Sequence, residues 1–132
     1  MGNEHGAAIT YHQLGIIAQE RRDFETAERW YLKSLKITEH MGNEHGAAST
    51  YHQLGIIAAE KQDFAKAASQ YSSAAKIFKR KDDAHNLSIA GRSFRRLYDS
   101  VDQKQQAHLK KTWEENGLGP FLDPPPSEGE SE

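Results

Sequence analysis

The sequence predicts an all-α fold: a solenoid of antiparallel helix hairpins, with two regular units and a degenerate capping helix pair at the C-terminal end. Three observations predict it. Residues 1–18, MGNEHGAAITYHQLGIIA, return as residues 41–58 with a single change, Ile9 against Ser49. Self-similarity at a fixed period of about 20–50 residues marks a repeat architecture, in which each unit buries its apolar face against its neighbours. Within each copy the apolar positions recur at spacings of three and four, the helix period and not the strand period. Asn3, Asn43 and Asp83, one per period, are residues whose side-chain oxygen accepts from the orphan N–H groups of a first helical turn.

The first A helix is expected over about 4–20 and its copy over about 44–60, with Ala7, Tyr11, Leu14, Ala18 and then Ala47, Tyr51, Leu54, Ala58 facing inward. Glu4 and Glu44 lie in the first turns, where the helix dipole favours negative charge. Arg21-Arg22-Asp23 is a short link, so the next helix runs antiparallel to the first, and Asp23 caps it. That B helix is expected over about 24–39, burying Phe24, Ala27, Tyr31, Leu35 and Ile37. Its copy covers about 64–80 and buries Phe64, Ala67, Tyr71, Ala74, Ala75 and Phe78. Gly15 and Gly55 fall in mid-helix, where glycine costs roughly 1 kcal/mol relative to alanine. A bulky neighbour pressed onto the backbone offsets that cost, and Tyr31 and Tyr71 are the candidates.

These residues resemble a known family. Tyr11-x2-Leu14-Gly15-x2-Ala18 followed by Ala27-x3-Tyr31, repeated as Tyr51, Leu54-Gly55, Ala58, Ala67 and Tyr71, is similar to the tetratricopeptide repeat. Two departures stand out: alanine replaces the family's second tyrosine, and no proline ends the B helix. The forty-residue period resembles the longer-helix subclass of kinesin light chains, spindle-orientation scaffolds and many bacterial arrays. The resemblance implies a right-handed solenoid whose A helices line a concave groove. It divides the chain into unit 1 (1–40), unit 2 (41–80), a degenerate capping unit (81–116) and a tail (117–132).

The capping unit is a worn copy. Phe94 stands for Leu14, and Ala107 for Ala27, which puts helices at about 84–99 and 102–116, the second keeping Ala107, Leu109 and Trp113 inside. Arg95 falls where Gly15 and Gly55 stand, so close helix approach is lost there. Terminal repeats deviate because one face meets water, and Gly117 closes the last helix. The tail is acidic and rich in proline and serine, a composition expected to stay disordered. At the other end Met1 holds the phase that Met41 holds inside the array, so the first A helix is expected to expose a face that a preceding B helix would cover. Such patches find partners, and a symmetric dimer through the N-terminal unit is one expectation.

Composition excludes several classes. A net charge of −2 gives no basic excess for nucleic acid, and the absence of cysteine removes disulfides, thiolate metal sites and cysteine nucleophiles. No apolar run is long enough to span a membrane, and MGNEHGAA lacks the basic start and apolar stretch of a signal peptide. A cytoplasmic protein is expected. No cofactor is expected, and no enzyme: neither a Ser/His/Asp arrangement nor a phosphate-binding glycine loop is present. His5 and His12 lie about 10 Å apart along one helix, too far to hold one ion together, and a His12–His52 pair lacks a third ligand.

What remains is binding. Residues 19–40 and 59–80 agree at only seven positions, whereas the A helices are almost unchanged, including His12/His52 and Gln13/Gln53, read as exposed. A repeated ligand surface and a recent partial duplication explain this equally. By the resemblance, the groove is formed by Ile9, His12, Ile16, Gln19 and Glu20 in unit 1 and Ser49, His52, Ile56, Ala59 and Glu60 in unit 2. The capping unit adds Ile89, Arg92, Arg96 and Asp99. The family's carboxylate clamp uses Lys, Arg and Asn at such places, and His and Ile here argue against it. The expected partner is a protein or peptide with an apolar strip and an acidic end. The alternatives are homo-oligomerisation through the N-terminal unit, and service as a docking arm of a larger protein.

Overall fold

The structure, a computed structural model, describes residues 3–121. Met1, and the proline-rich acidic stretch from 122 onward that the sequence reads as disordered, lie outside the described residues. Six helices follow one another: α1 (Asn3–Glu20), α2 (Phe24–His40), α3 (Glu44–Glu60), α4 (Phe64–Arg80), α5 (Ala84–Asp99) and α6 (Gln103–Glu115). There is no strand among the described residues. Each helix packs on the next, so paired helices form a stack, and the all-α hairpin solenoid is as expected.

The regular spacing originates in a short connector used four times. Arg22, Gly42, Gln62 and Asp82 all take the left-handed conformation, with φ of 60°, 71°, 61° and 56°. The next residue then sends its N–H back into the helix just finished: Asp23 to the Ala18 carbonyl at 2.9 Å, Asn43 to Thr38 at 2.8 Å, Asp63 to Ala58 at 2.8 Å and Asp83 to Phe78 at 2.9 Å. This is the Schellman closure of a helix end. The side chain of that same residue caps the following helix, Asp23 accepting from the Thr26 N–H, Asn43 from Gly46, Asp63 from Lys66 and Asp83 from Asn86. One residue thus stops a helix and starts the next, which locks the hairpins into a common geometry.

Glycine sets the distance between the paired helices. A Cβ built on Gly15 would lie 2.6 Å from Cε1 of Tyr31, and one on Gly55 would lie 2.6 Å from Cδ1 of Tyr71. The aromatic rings therefore rest on bare backbone, as the sequence predicts. Tyr31 is fully buried beside Ala18, Ala27, Leu35, Leu54 and Ile57. Tyr71 lies beside Ala58, Ala67, Ala68 and Phe94, so the interior is continuous from unit to unit.

The third unit departs from the expected copy. The sequence places Ala107, Leu109 and Trp113 inward; Leu109 is buried and Trp113 half-buried as expected, but Ala107, the counterpart of Ala27, is exposed. The reason is the connector. Ser100-Val101-Asp102 lacks the left-handed residue, Asp102 caps α6 from an extended conformation (ψ 171°), and Val101 packs against the core. Helix α6 therefore starts in a different rotational phase. Lys111, in register with Tyr31 and Tyr71, is exposed. Phe121 supplies the missing ring: it is buried against Phe94, Tyr98 and Trp113, with centroids at 5.4, 4.6 and 5.9 Å. The Arg95 guanidinium lies 4.1 Å from its centroid. Ordered packing thus extends beyond Gly117, where the sequence reading begins its tail, because that tail starts with apolar Leu118 and Phe121.

Candidate partner-binding groove

At the expected groove positions α1 and α3 share His12/His52, Ile16/Ile56 and Glu20/Glu60 and differ at Ile9/Ser49 and Gln19/Ala59, and the structure explains why the histidines are held. His12, read as exposed from the sequence, is half-buried. Its ring lies 5.2 Å from that of Tyr31, and its Nδ1 is 3.1 Å from the Thr50 hydroxyl on α3. His52 repeats the arrangement against Tyr71 at 5.5 Å, with Nε2 2.9 Å from the Ser93 hydroxyl on α5. Each imidazole joins one A helix to the next, so packing accounts for the shared histidines. Gln19 is likewise a structural partner, accepting a 2.6 Å hydrogen bond from the Tyr31 hydroxyl.

Desolvation on burial lowers the pKa of both His12 and His52 below the ordinary histidine value. The unfolded chain therefore takes up protons first as pH falls, and stability declines below about pH 6.5 toward the folded-state values. We predict a melting temperature that drops between about pH 7 and pH 5, and a flatter profile for the double variant His12→Gln/His52→Gln. Thermal melts by circular dichroism across that range check it, and identical slopes in both proteins would count against it. Asp83, held down at about 2 by hydrogen bonds from Asn86 and His45, acts in a separate, lower window.

Two recesses open along the A helices. The first, about 250 Å³, lies between α1 and α3 and gathers Ile9, His12 and Ser49 from the expected groove, together with His5, Thr38 and Asn43. The second, about 450 Å³, lies between α3 and α5 and gathers Ala59, Glu60 and Arg96, together with Tyr71, Ser93 and Ser100. It is open because Ala59 stands where Gln19 covers the tyrosine in unit 1. Burial pushes the Tyr71 hydroxyl up to about 12, so it serves as a neutral hydrogen-bonding group beside the Arg96 cation. Glu60 is tied to Arg22 at 3.3 Å.

The remaining expected residues line neither recess. Ile16 and Ile56 are half-buried and pack against the core clusters. Ile89 is half-buried, and Glu20, Arg92 and Asp99 are exposed. The sequence reading missed Thr38, Asn43, Tyr71 and Ser93. Comparing the two units position by position would have found some of them, since Thr38 stands in register with Phe78 on the B helices and Gln19 with Ala59 on the A helices. No group of three or more metal-ligating side chains gathers among the described residues.

Paired helices stacked around aromatic–glycine contacts, with a continuous side formed by the first helix of each pair, define a helical repeat scaffold. The family model of the tetratricopeptide repeat matches residues 6–80, more than half of the chain, and the protein belongs to that family. Neither the curated proteins nor the solved structures compared with the chain include a match.

Proposed function

We propose that this protein is a non-catalytic scaffold that holds a partner segment along α1, α3 and α5. Tetratricopeptide repeats in general mediate protein–protein interaction. The observation that carries the reading is the pair of recesses on successive A helices, one bordered by Ile9, which is 49% exposed, and the other by Arg96. A peptide with an apolar strip and an acidic end fits that order, its apolar side chains at Ile9 and its carboxylates at Arg96 and Arg92. The forty-residue period supports the longer-helix subclass, and we place the protein in a cytoplasmic setting; among the described residues no helix is long and apolar enough to cross a membrane.

Selection of a displayed random-peptide library on the immobilised protein tests the groove. Peptides chosen by the parent should bind Ile9→Asp and Arg96→Glu at least about tenfold more weakly, a loss near 1.4 kcal/mol. Undiminished binding to both variants rejects the groove. These positions are better probes than Ile56, which also supports the core.

A second reading rests on α1. Ile17 is 45% exposed whereas its copy Ile57 is fully buried under the neighbouring unit, so α1 offers a face already fitted to receive a B-type helix. Homo-oligomerisation through that face is the alternative function. Sedimentation over a dilution series, with Ile17→Lys as comparison, tests it, and a monomer at every concentration removes it.

A further inference from the structure

The repeat contains its own comparison for the first recess. At the junction of α4 with α5, the Phe78 ring fills the space between helices, with the edge of His45 against it at 5.6 Å and Ala48, Ala74 and Ala90 around it. One period earlier Thr38 stands in place of Phe78, Ser34 in place of Ala74 and Thr50 in place of Ala90. The backbone closes in the same way at both junctions, through the Asn43–Thr38 and Asp83–Phe78 bonds. Where unit 2 has an aromatic ring, unit 1 therefore has a recess, bordered by the same histidine and alanine as His5 and Ala8. At about 250 Å³ it exceeds the roughly 150 Å³ that accommodates benzene in an engineered cavity, and falls short of the roughly 300–1,000 Å³ of pockets for whole small molecules. It is the size of one side chain.

The wall chemistry narrows the choice. The Ser34 hydroxyl donates to the Ala8 carbonyl at 2.8 Å, and that of Thr38 to Leu35 at 3.0 Å. The Thr50 hydroxyl donates to Gly46 at 3.2 Å, so its oxygen is left to accept from His12 Nδ1. The His12 proton is thereby assigned to Nδ1, and Nε2 keeps its lone pair. In unit 2 the equivalent nitrogen meets the Ser93 hydroxyl, whereas the register position beside His12 is Gln53, and no described residue hydrogen-bonds to His12 Nε2. The recess thus has space for an aromatic ring, and His12, one of the residues lining it, keeps one unused acceptor.

We propose that it receives a tyrosine side chain of the partner segment, the ring occupying the place that Phe78 holds in unit 2 and the phenol O–H donating to His12 Nε2. The assignment rests on the peptide-groove reading and names its anchor residue.

The test uses the whole chain and two probes, p-cresol and its O-methyl ether, followed through the imidazole NMR signals of His5 and His12. The phenol should bind with a dissociation constant on the order of 1 mM, and the ether, lacking the donor, at least about tenfold more weakly. Thr38→Phe, which places unit 2's own ring in the recess, should abolish binding. Ser49→Ile, the residue of α5 at that register, narrows the rim and serves where Thr38→Phe does not fold, with a thermal melt deciding. Absence of any shift with p-cresol, equal affinity for the ether, or full binding by a folded filled variant overturns the proposal. Library peptides that are sensitive to Arg96→Glu, yet lack an aromatic anchor and ignore Thr38→Phe, would overturn it while leaving the groove reading intact.

Discussion

Phe94→Ala should detach the third unit from the stack. Phe94 is completely buried and sits where units 1 and 2 carry Leu14 and Leu54. It meets Trp113 at 4.7 Å and Phe121 at 5.4 Å, and shares a cluster with Tyr71 and Ala67 of unit 2 and Leu97 and Leu109 of unit 3. Unit 3 has neither the glycine nor the tyrosine that join the earlier pairs, so this ring carries the interface. Truncating a buried phenylalanine to alanine costs about 3–5 kcal/mol. In a linear array the loss falls on one unit and its single neighbour contact, so the end unravels before the rest. Trp113 lies in this cluster and Trp30 in unit 1, which makes the outcome readable. In a Trp30→Phe background, Trp113 fluorescence should unfold at lower urea than the circular dichroism signal in the Phe94→Ala variant, and together with it in the parent. A variant that keeps coincident transitions, with under about 1 kcal/mol lost, would show that α6 is held by other contacts.

Units 1 and 2 were legible because their information is local and stated twice. Asp23, Asn43, Asp63 and Asp83 act through bonds to residues three positions ahead and five behind, and such short-range chemistry can be read from one strand of text. The Gly15–Tyr31 and Gly55–Tyr71 contacts were readable because a costly residue recurs opposite a large one. Unit 3 was less so. Extending the period assumed that α6 keeps its phase, but the phase is set by the connector. Val101 and extended Asp102 replace the left-handed link, which carries Ala107 outward while Leu109 stays inside as expected. Phe121 reads as tail because its neighbours are glycine and proline, whereas its burial depends on a space that only the tertiary arrangement creates. The groove was half legible for a related reason. Helical spacing identifies which face His12, Ile16 and Ile56 share, but not whether a side chain on that face ends against solvent or against the tyrosine of the next helix. The recess at Thr38 is created by a difference between copies, and attention to what the copies share passes over it.

Gly55→Ala should destabilise the protein although it improves helix propensity. Alanine gains roughly 1 kcal/mol over glycine in a helix interior, but its methyl would lie 2.6 Å from both Cδ1 and Cε1 of Tyr71. That ring is buried against Ala58, Ala67 and Ala68, small residues whose backbones already approach closely and have no side chain to swing aside. Overpacking of this kind costs about 1–3 kcal/mol, so the net change is a loss of up to about 2 kcal/mol. Gly91, on α5, is the internal control: a Cβ there meets only Cη2 of Trp113, at 3.9 Å, an ordinary contact. Gly91→Ala should therefore stabilise by about 0.5–1 kcal/mol, and the two substitutions, chemically identical, should move the urea midpoint in opposite directions. Tyr71→Leu removes the ring edge, and in that background Gly55→Ala should recover most of its propensity gain, a coupling measurable by a double-mutant cycle. If Gly55→Ala instead stabilised the parent as Gly91→Ala does, Tyr71 would have room to retreat. The spacing between α3 and α4 would then be set by the alanine ridges at Ala67 and Ala74, and the glycine would need another explanation.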